Sequence, residues 1–274
     1  SFFGSRSKFP VGLLVWNLRK SLPIEDQSIT LDVYNDEVGK YGKKTIHCEN
    51  REKFLNKWIN RAKCNIIMPP FKSAITIGTD NIDTRNRVAK DFLCSLMTKG
   101  NDLQNQNNTA ILSGPYISAG ALSVTPMNFE KAMIVHTVRR LPTATWTNDR
   151  DQFSQPNIDL LPQEFVTDCV LWSIFSESNN TVSLKDIEYN NKTYQIQNHL
   201  YPYLLHEVKE WKQSLSAIGL QVQSINEERF LAKWISEHPL SDQAMDLFNK
   251  GRRLYKAFYE NASKTHWLNY KIEL

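Results

Sequence analysis

The spacing of apolar residues changes several times along the chain, and each change predicts an element. Residues 9–16 are apolar almost throughout and too short for a helix, which is the pattern of a buried strand. Residues 28–34 alternate, with Ile29, Leu31 and Val33 on one face, as a half-buried strand does. The stretch around Pro23 reads as a turn, so these two strands fit a hairpin. A third short strand is predicted at 43–48. Residues 51–62 place Phe54, Leu55, Trp58, Ile59 and Ala62 on one stripe and predict an amphipathic helix. Short strands are expected at 66–68 and 74–77, on either side of Pro69-Pro70. Residues 84–98 predict a second helix, with Val88, Phe92, Leu93 and Leu96 inward and Gly100 as its stop.

Beyond this point polarity rises and then falls. Residues 101–108, rich in Asn and Gln, read as a loop or an internal boundary. A strand is predicted at 132–138, leading into Arg139-Arg140, and a mostly apolar helix at 163–175. The last third predicts helices at 205–217, 227–237 and 242–260, punctuated by Gly219, Asn226, Pro239 and Ser241. No repeat of solenoid length is visible. The pattern as a whole predicts an α+β fold: a short-stranded sheet region with packed helices over 1–204, then a helical subdomain over 205–274.

Composition narrows the class. A chain of 274 residues, 41% hydrophobic and 23% charged, buries a sizeable core and is globular rather than disordered. A net charge of +4 permits a nucleic-acid partner without demanding one. Cys48, Cys64, Cys94 and Cys169 form no C-x-x-C pair, and no His stands at zinc-finger spacing from them. No metal site is therefore expected, and reduced thiols in a cytoplasmic protein are the natural reading. No signal peptide or membrane span is apparent, and the start at Ser1 reads as a piece cut from a longer protein.

Several constellations carry chemistry on paper. In Met68-Pro69-Pro70-Phe71, amino-methyltransferases would have Asn, Asp or Ser ahead of the prolines to accept a hydrogen bond from the target amino group. Met68 cannot do this, and no glycine-rich cofactor turn precedes it, so a plain turn is the better reading. Lys53, Lys57 and Arg61 stand four apart and, on a helix, would aim three charges one way, as phosphate contacts need. Arg139, Arg140, Trp146 and Arg150 form an aromatic-basic neighbourhood in which Arg can read guanine edges and a ring can stack on a base. The bland alternative for each is a solvated charged face. Asp149, Asp151, Glu164 and Asp168 lack the following Lys of a nuclease and read as turn and helix-end charges. No His pairs by pattern with a Ser or Cys nucleophile. Lys250, Arg252, Arg253 and Lys256 complement a helix C-terminus.

Taken together, several stretches resemble the region after the catalytic motif in bacterial adenine-N6 DNA methyltransferases of restriction-modification systems. They are residues 9–18, the Trp146-Thr147-Asn148-Asp149-Arg150-Asp151-Gln152-Phe153 segment, and residues 161–175 with Asp168-Cys169. Tyr189, Ile196 and Asn198, and the Gly251-Arg252-Arg253-Leu254-Tyr255 segment within 241–259, extend the likeness. The family's glycine-rich cofactor motif and its Asn-Pro-Pro-aromatic motif are missing and would precede residue 1, so no catalytic residue carries over. The resemblance implies a non-catalytic part that grips double-stranded DNA, and the basic and aromatic clusters offer Lys53, Lys57, Arg61, Arg139, Arg140, Trp146 and Arg150 as its contacts. It implies no cofactor in this part, S-adenosylmethionine in the parent enzyme, the N-terminal methyltransferase half as partner, and no membrane. The alternative is a scaffold region that docks onto a methyltransferase or restriction partner without touching DNA.

Overall fold

A computed structural model of the chain describes residues 17–23, 26–35, 37, 39–67, 87–112, 114, 120–176, 184–189, 191–196, 199–200, 202 and 230–264. The fold is α+β: small antiparallel sheets with helices packed against them. Strands β1 (Ser28–Asn35) and β2 (Gly39–His47) pair antiparallel as a hairpin, with a register shift after Val33 that leaves Tyr41 as the extra residue. The predicted partner of β1, residues 9–16, lies outside the described residues. Strand β3 (Cys64–Ile67) pairs with β4 (Arg87–Ala89), and β5 (Cys94–Thr98) lies between β6 (Thr109–Leu112) and β7 (Leu122–Val124). Strands β8 (Leu184–Tyr189) and β9 (Lys192–Ile196) form a further hairpin that the apolar pattern did not signal.

Four helices complete the described part: α1 (Phe129–Arg140), α2 (Gln163–Phe175), α3 (Phe230–Glu237) and α4 (Asp242–Lys264). Helices α2, α3 and α4 fall where the sequence placed helices; the predicted helix at 205–217 lies outside the described residues. Helix α1 replaces the strand expected at 132–138. Ala132, Met133, Ile134, Val135, His136 and Thr137 are all buried, so the helix has almost no polar face to reveal its period. Asn128 anchors its start: its side-chain Oδ1 accepts from Thr125 N at 2.8 Å and its Nδ2 donates to Asn60 O at 3.0 Å.

Two predicted helices are corrected. Residues 51–57 form two short 3-10 turns, Arg51–Lys53 and Leu55–Lys57, rather than the first half of a long helix. The reason is tertiary: Leu55 N donates to Phe153 O at 2.9 Å and Gln155 N to Lys53 O at 2.9 Å, so the backbone bonds an α-helix would make are claimed by the 153–155 segment. Leu55, Trp58 and Ile59 are buried all the same, because a 3-10 turn also brings i and i+3 to one side. The second predicted helix, 84–98, is instead β4 and β5 in its described part, broken at Asp91, whose φ of 60° cannot continue a right-handed helix. Residues 101–108 are no boundary: the 3-10 turn Leu103–Asn108 joins β5 to β6 within one sheet.

The core gathers Leu96, Ile111 and Val124 from the sheet with Phe129, Met133, Val170 and Ile174 from the α1–α2 pair. Helices α3 and α4 add Leu231, Trp234 and Phe248 to the same cluster. Phe129 meets the rings of Phe230 and Trp234 edge-on at 4.7 and 5.7 Å. Helix α4 crosses α2 closely at Gly251, where a Cβ would stand 2.5 Å from the Phe175 ring. That approach explains the glycine inside a long helix, which otherwise costs about 1 kcal/mol relative to Ala.

Candidate nucleic-acid interface

The seven basic and aromatic candidates separate into three environments. Lys57 and Arg61 line one open cleft of about 340 Å³, together with Phe54, Asn56, Gly100 and Gly120. The helical stripe expected of Lys53, Lys57 and Arg61 does not exist, since two 3-10 turns replace the helix; Lys53 is exposed but does not line the cleft. Arg61 donates to the carbonyl oxygen of Gly120 at 3.2 Å, and Lys57 sits 3.7 Å from the exposed carboxylate of Glu52. Gly120 holds a φ of +89°, with Thr98 O 2.8 Å from where a Cβ would be, so the tight wall it makes beside Arg61 needs glycine.

Arg139 is the second environment, and its position differs from the exposed one the sequence suggested. Its exposure is 0%, because it lies on the inner side of the last turn of α1. One guanidinium nitrogen donates to Asn56 Oδ1 at 3.4 Å and another to Lys99 O at 3.2 Å. Its Nε is buried without a hydrogen-bond partner. Burial pulls its pKa down to about 10, partly offset by the charge of Asp102, and it remains a cation at neutral pH. Arg139 therefore touches no external ligand directly. It stands behind Asn56, which does line the cleft.

The third environment is the surface shared by the hairpin and the 143–151 turn. Trp146 is 38% exposed and meets Tyr41 edge-on at 5.9 Å. Lys44 straps the two segments together, donating to Thr147 O and to Asp151 Oδ1, the latter at 2.5 Å. Lys40 is held by Asp32 at 2.9 Å, which raises the lysine's pKa and lowers the carboxylate's. Arg150 and Lys43 are exposed and make no ion pair among the described residues. Arg140 is half-buried against the 103–108 turn, donating to Asn107 Oδ1 at 3.1 Å. Tyr41 and Lys43 were missed in the sequence; the glycines at 39 and 42 that frame the bulge were the available signal.

The remaining candidates behave as local structure. Asp151 is engaged by Lys44, and among the described residues no group of His, Cys, Asp and Glu could hold a metal ion. The Met68–Phe71 turn lies outside the described residues. One pairing escaped sequence reasoning: His136 Nδ1 lies 2.9 Å from Ser173 Oγ, which is 3.1 Å from Thr137 Oγ1. Both His136 and Ser173 are fully buried between α1 and α2, where no substrate reaches them. Burial first, and the charge of Arg140 second, push the His136 pKa down to about 3, so the ring stays neutral and locks the two helices together. Among the described residues no helix is long and apolar enough to cross a membrane. No family model, curated protein or solved structure matches the chain.

Proposed function

We propose that this chain is the DNA-binding, target-recognition part of a bacterial adenine-N6 DNA methyltransferase of a restriction-modification system, and that it carries neither the cofactor nor the catalytic motif. The parent enzyme would hold S-adenosylmethionine in its N-terminal half, act in the cytoplasm and flip an adenine from duplex DNA. The resemblance of residues 146–153, 161–175 and 241–259 supplies the family. The observation that carries the reading is the third environment above. Trp146 and Tyr41 leave ring surface in solvent, and Arg150, four residues after Trp146, is exposed and makes no salt bridge among the described residues. A ring pair that can stack on a base or sugar, on the same segment as an exposed cation that can hold a phosphate, is what a DNA-contacting surface needs.

The test is a gel shift of mixed-sequence duplex DNA at low salt. Wild-type chain should retard the duplex, and Arg150→Ala should weaken retention with little change in Tm because the side chain is exposed. Trp146→Ala, which also removes the packing on Tyr41, should weaken it further. No shift at any salt rejects the reading.

A second reading has one observation in its favour. Leu247 and Leu254 lie two turns apart on α4 and are 57% and 73% exposed, which fits a docking face for a methyltransferase or restriction partner. Co-purification with such a partner, combined with no DNA shift, would select it.

A further inference from the structure

The cleft around Asn56 has properties that a merely solvated basic face lacks. Its lining contains two cations, Lys57 and Arg61, and no carboxylate; Glu52 stands 3.7 Å from Lys57 as an exposed, solvent-screened pair outside the lining. Directly behind Asn56 lies a third cation, Arg139, which is fully buried and makes no ion pair among the described residues. Its hydrogen bonds run to neutral oxygens, Asn56 Oδ1 and Lys99 O, and its Nε–H has none. Asp102, the acid whose field reaches it, already accepts from Asn105 N and Asn105 Nδ2. Asp102 offsets the buried charge only through its field and without a direct ion pair, which leaves positive potential on the cleft side of Asn56.

The local backbone holds this arrangement in place. Asn56 bridges the two layers: its Oδ1 accepts from Arg139, its Nδ2 donates to Gly100 O, and its backbone N–H donates to Asn101 Oδ1 at 3.2 Å. Gly100, at φ +72°, leaves room for Asn105, whose Nδ2 would be 2.9 Å from any Cβ there. Phe54 adds an apolar wall. We propose that this cleft is a phosphate-binding pocket, in which Lys57 and Arg61 grip the phosphate oxygens at the mouth while Arg139, held by Asn56, supplies positive potential from behind. The volume admits a phosphate together with the sugar attached to it. The inference deepens the DNA reading by naming where one backbone phosphate seats, but it rests on the cleft and not on the family resemblance.

The test uses the full chain, with inorganic phosphate and a duplex oligonucleotide as separate probes. Inorganic phosphate should raise the Tm beyond sodium chloride of equal ionic strength, and calorimetry should detect its binding. Lys57→Ala with Arg61→Ala should weaken phosphate binding at least about tenfold. Arg139→Gln, if folded, should do likewise although it touches no ligand. If it fails to fold, the two exposed variants decide. The source follows from the second arm. Should the double variant also lower the salt slope of duplex binding by roughly two, the phosphate is a DNA backbone phosphate. If phosphate binds and the duplex does not, the pocket stands, its ligand is a free phosphate or phosphomonoester, and the DNA reading fails. Phosphate that stabilises wild type and double variant equally, or not at all beyond chloride, overturns the pocket even if DNA binds elsewhere.

Discussion

His136 and Arg139 lie one turn apart on α1 and are equally buried, yet their surroundings are opposite. Around His136 the polar groups interlock: Ser173 Oγ meets His136 Nδ1 and Thr137 Oγ1, Ser173 reaches Met133 O at 3.3 Å, and Thr137 reaches Cys169 O at 2.9 Å. The histidine gives up its charge and the seam becomes neutral and closed. Around Arg139 the charge is kept, one buried N–H is unmatched, and an open basic cleft lies on the other side of Asn56. Satisfied polarity marks a seam built for stability, and unsatisfied charge beside a cleft marks a place built to meet something else. Its neighbour Arg140 differs in exposure, lying half-buried at the surface against the 103–108 turn.

Substitutions should divide along that line. The largest effect is expected in the seam: Ile174→Ala should lower unfolding free energy by about 2–5 kcal/mol in a denaturant titration, since its side chain is wholly enclosed between the helices. Lys57→Ala and Arg61→Ala should stay within about 0.5 kcal/mol in the same titration, and comparable losses in both regions would erase the distinction.

Acid should act on the seam next. The folded pKa of His136 lies near 3, below the unfolded value near 6.5, so the unfolded chain binds the extra proton first. Stability from this group is complete above about pH 6.5 and declines as pH falls toward 3, by at most about 1.4 kcal/mol per pH unit. His136→Gln should flatten that decline in Tm-against-pH curves; an unchanged slope would place the acid sensitivity elsewhere. At the α2–α4 crossing, Gly251→Val should cost about 1–3 kcal/mol by overpacking against Phe175, and Phe175→Leu in the same chain should recover part of it. The smallest effect concerns thiols. Burial raises Cys169 to about 11 and Cys94 higher still, so in the native chain a thiol reagent should modify Cys48 and Cys64 quickly and the other two only on unfolding.

What could be read from the sequence follows from the same physics. Strand β1 was legible because one face is wet, and α2 because its thirteen residues are too long for a strand. Helix α1 was not, because burial on nearly all sides removes the polar face that reveals a period of 3.6. The 51–62 stripe named the right core residues on the wrong backbone, since only the contact with 153–155 decides between an α-helix and 3-10 turns. The cleft was half legible. Lys57, Arg61 and Arg139 were each singled out, but as members of two unrelated clusters, and nothing local in the sequence announces that Asn56 joins them. Tyr41 was invisible because its contact with Trp146 spans the chain.

The most direct measurement is the affinity of the full chain for a mixed-sequence duplex across a salt series, for wild type and for Lys57→Ala/Arg61→Ala/Trp146→Ala/Arg150→Ala. Wild type is expected to bind at low salt with log K falling linearly against log salt, and the quadruple variant to lose most of that affinity and slope while still unfolding cooperatively as a folded chain. A wild-type chain that leaves duplex DNA alone in dilute buffer, or a quadruple variant that binds as tightly and as salt-dependently as wild type, contradicts it.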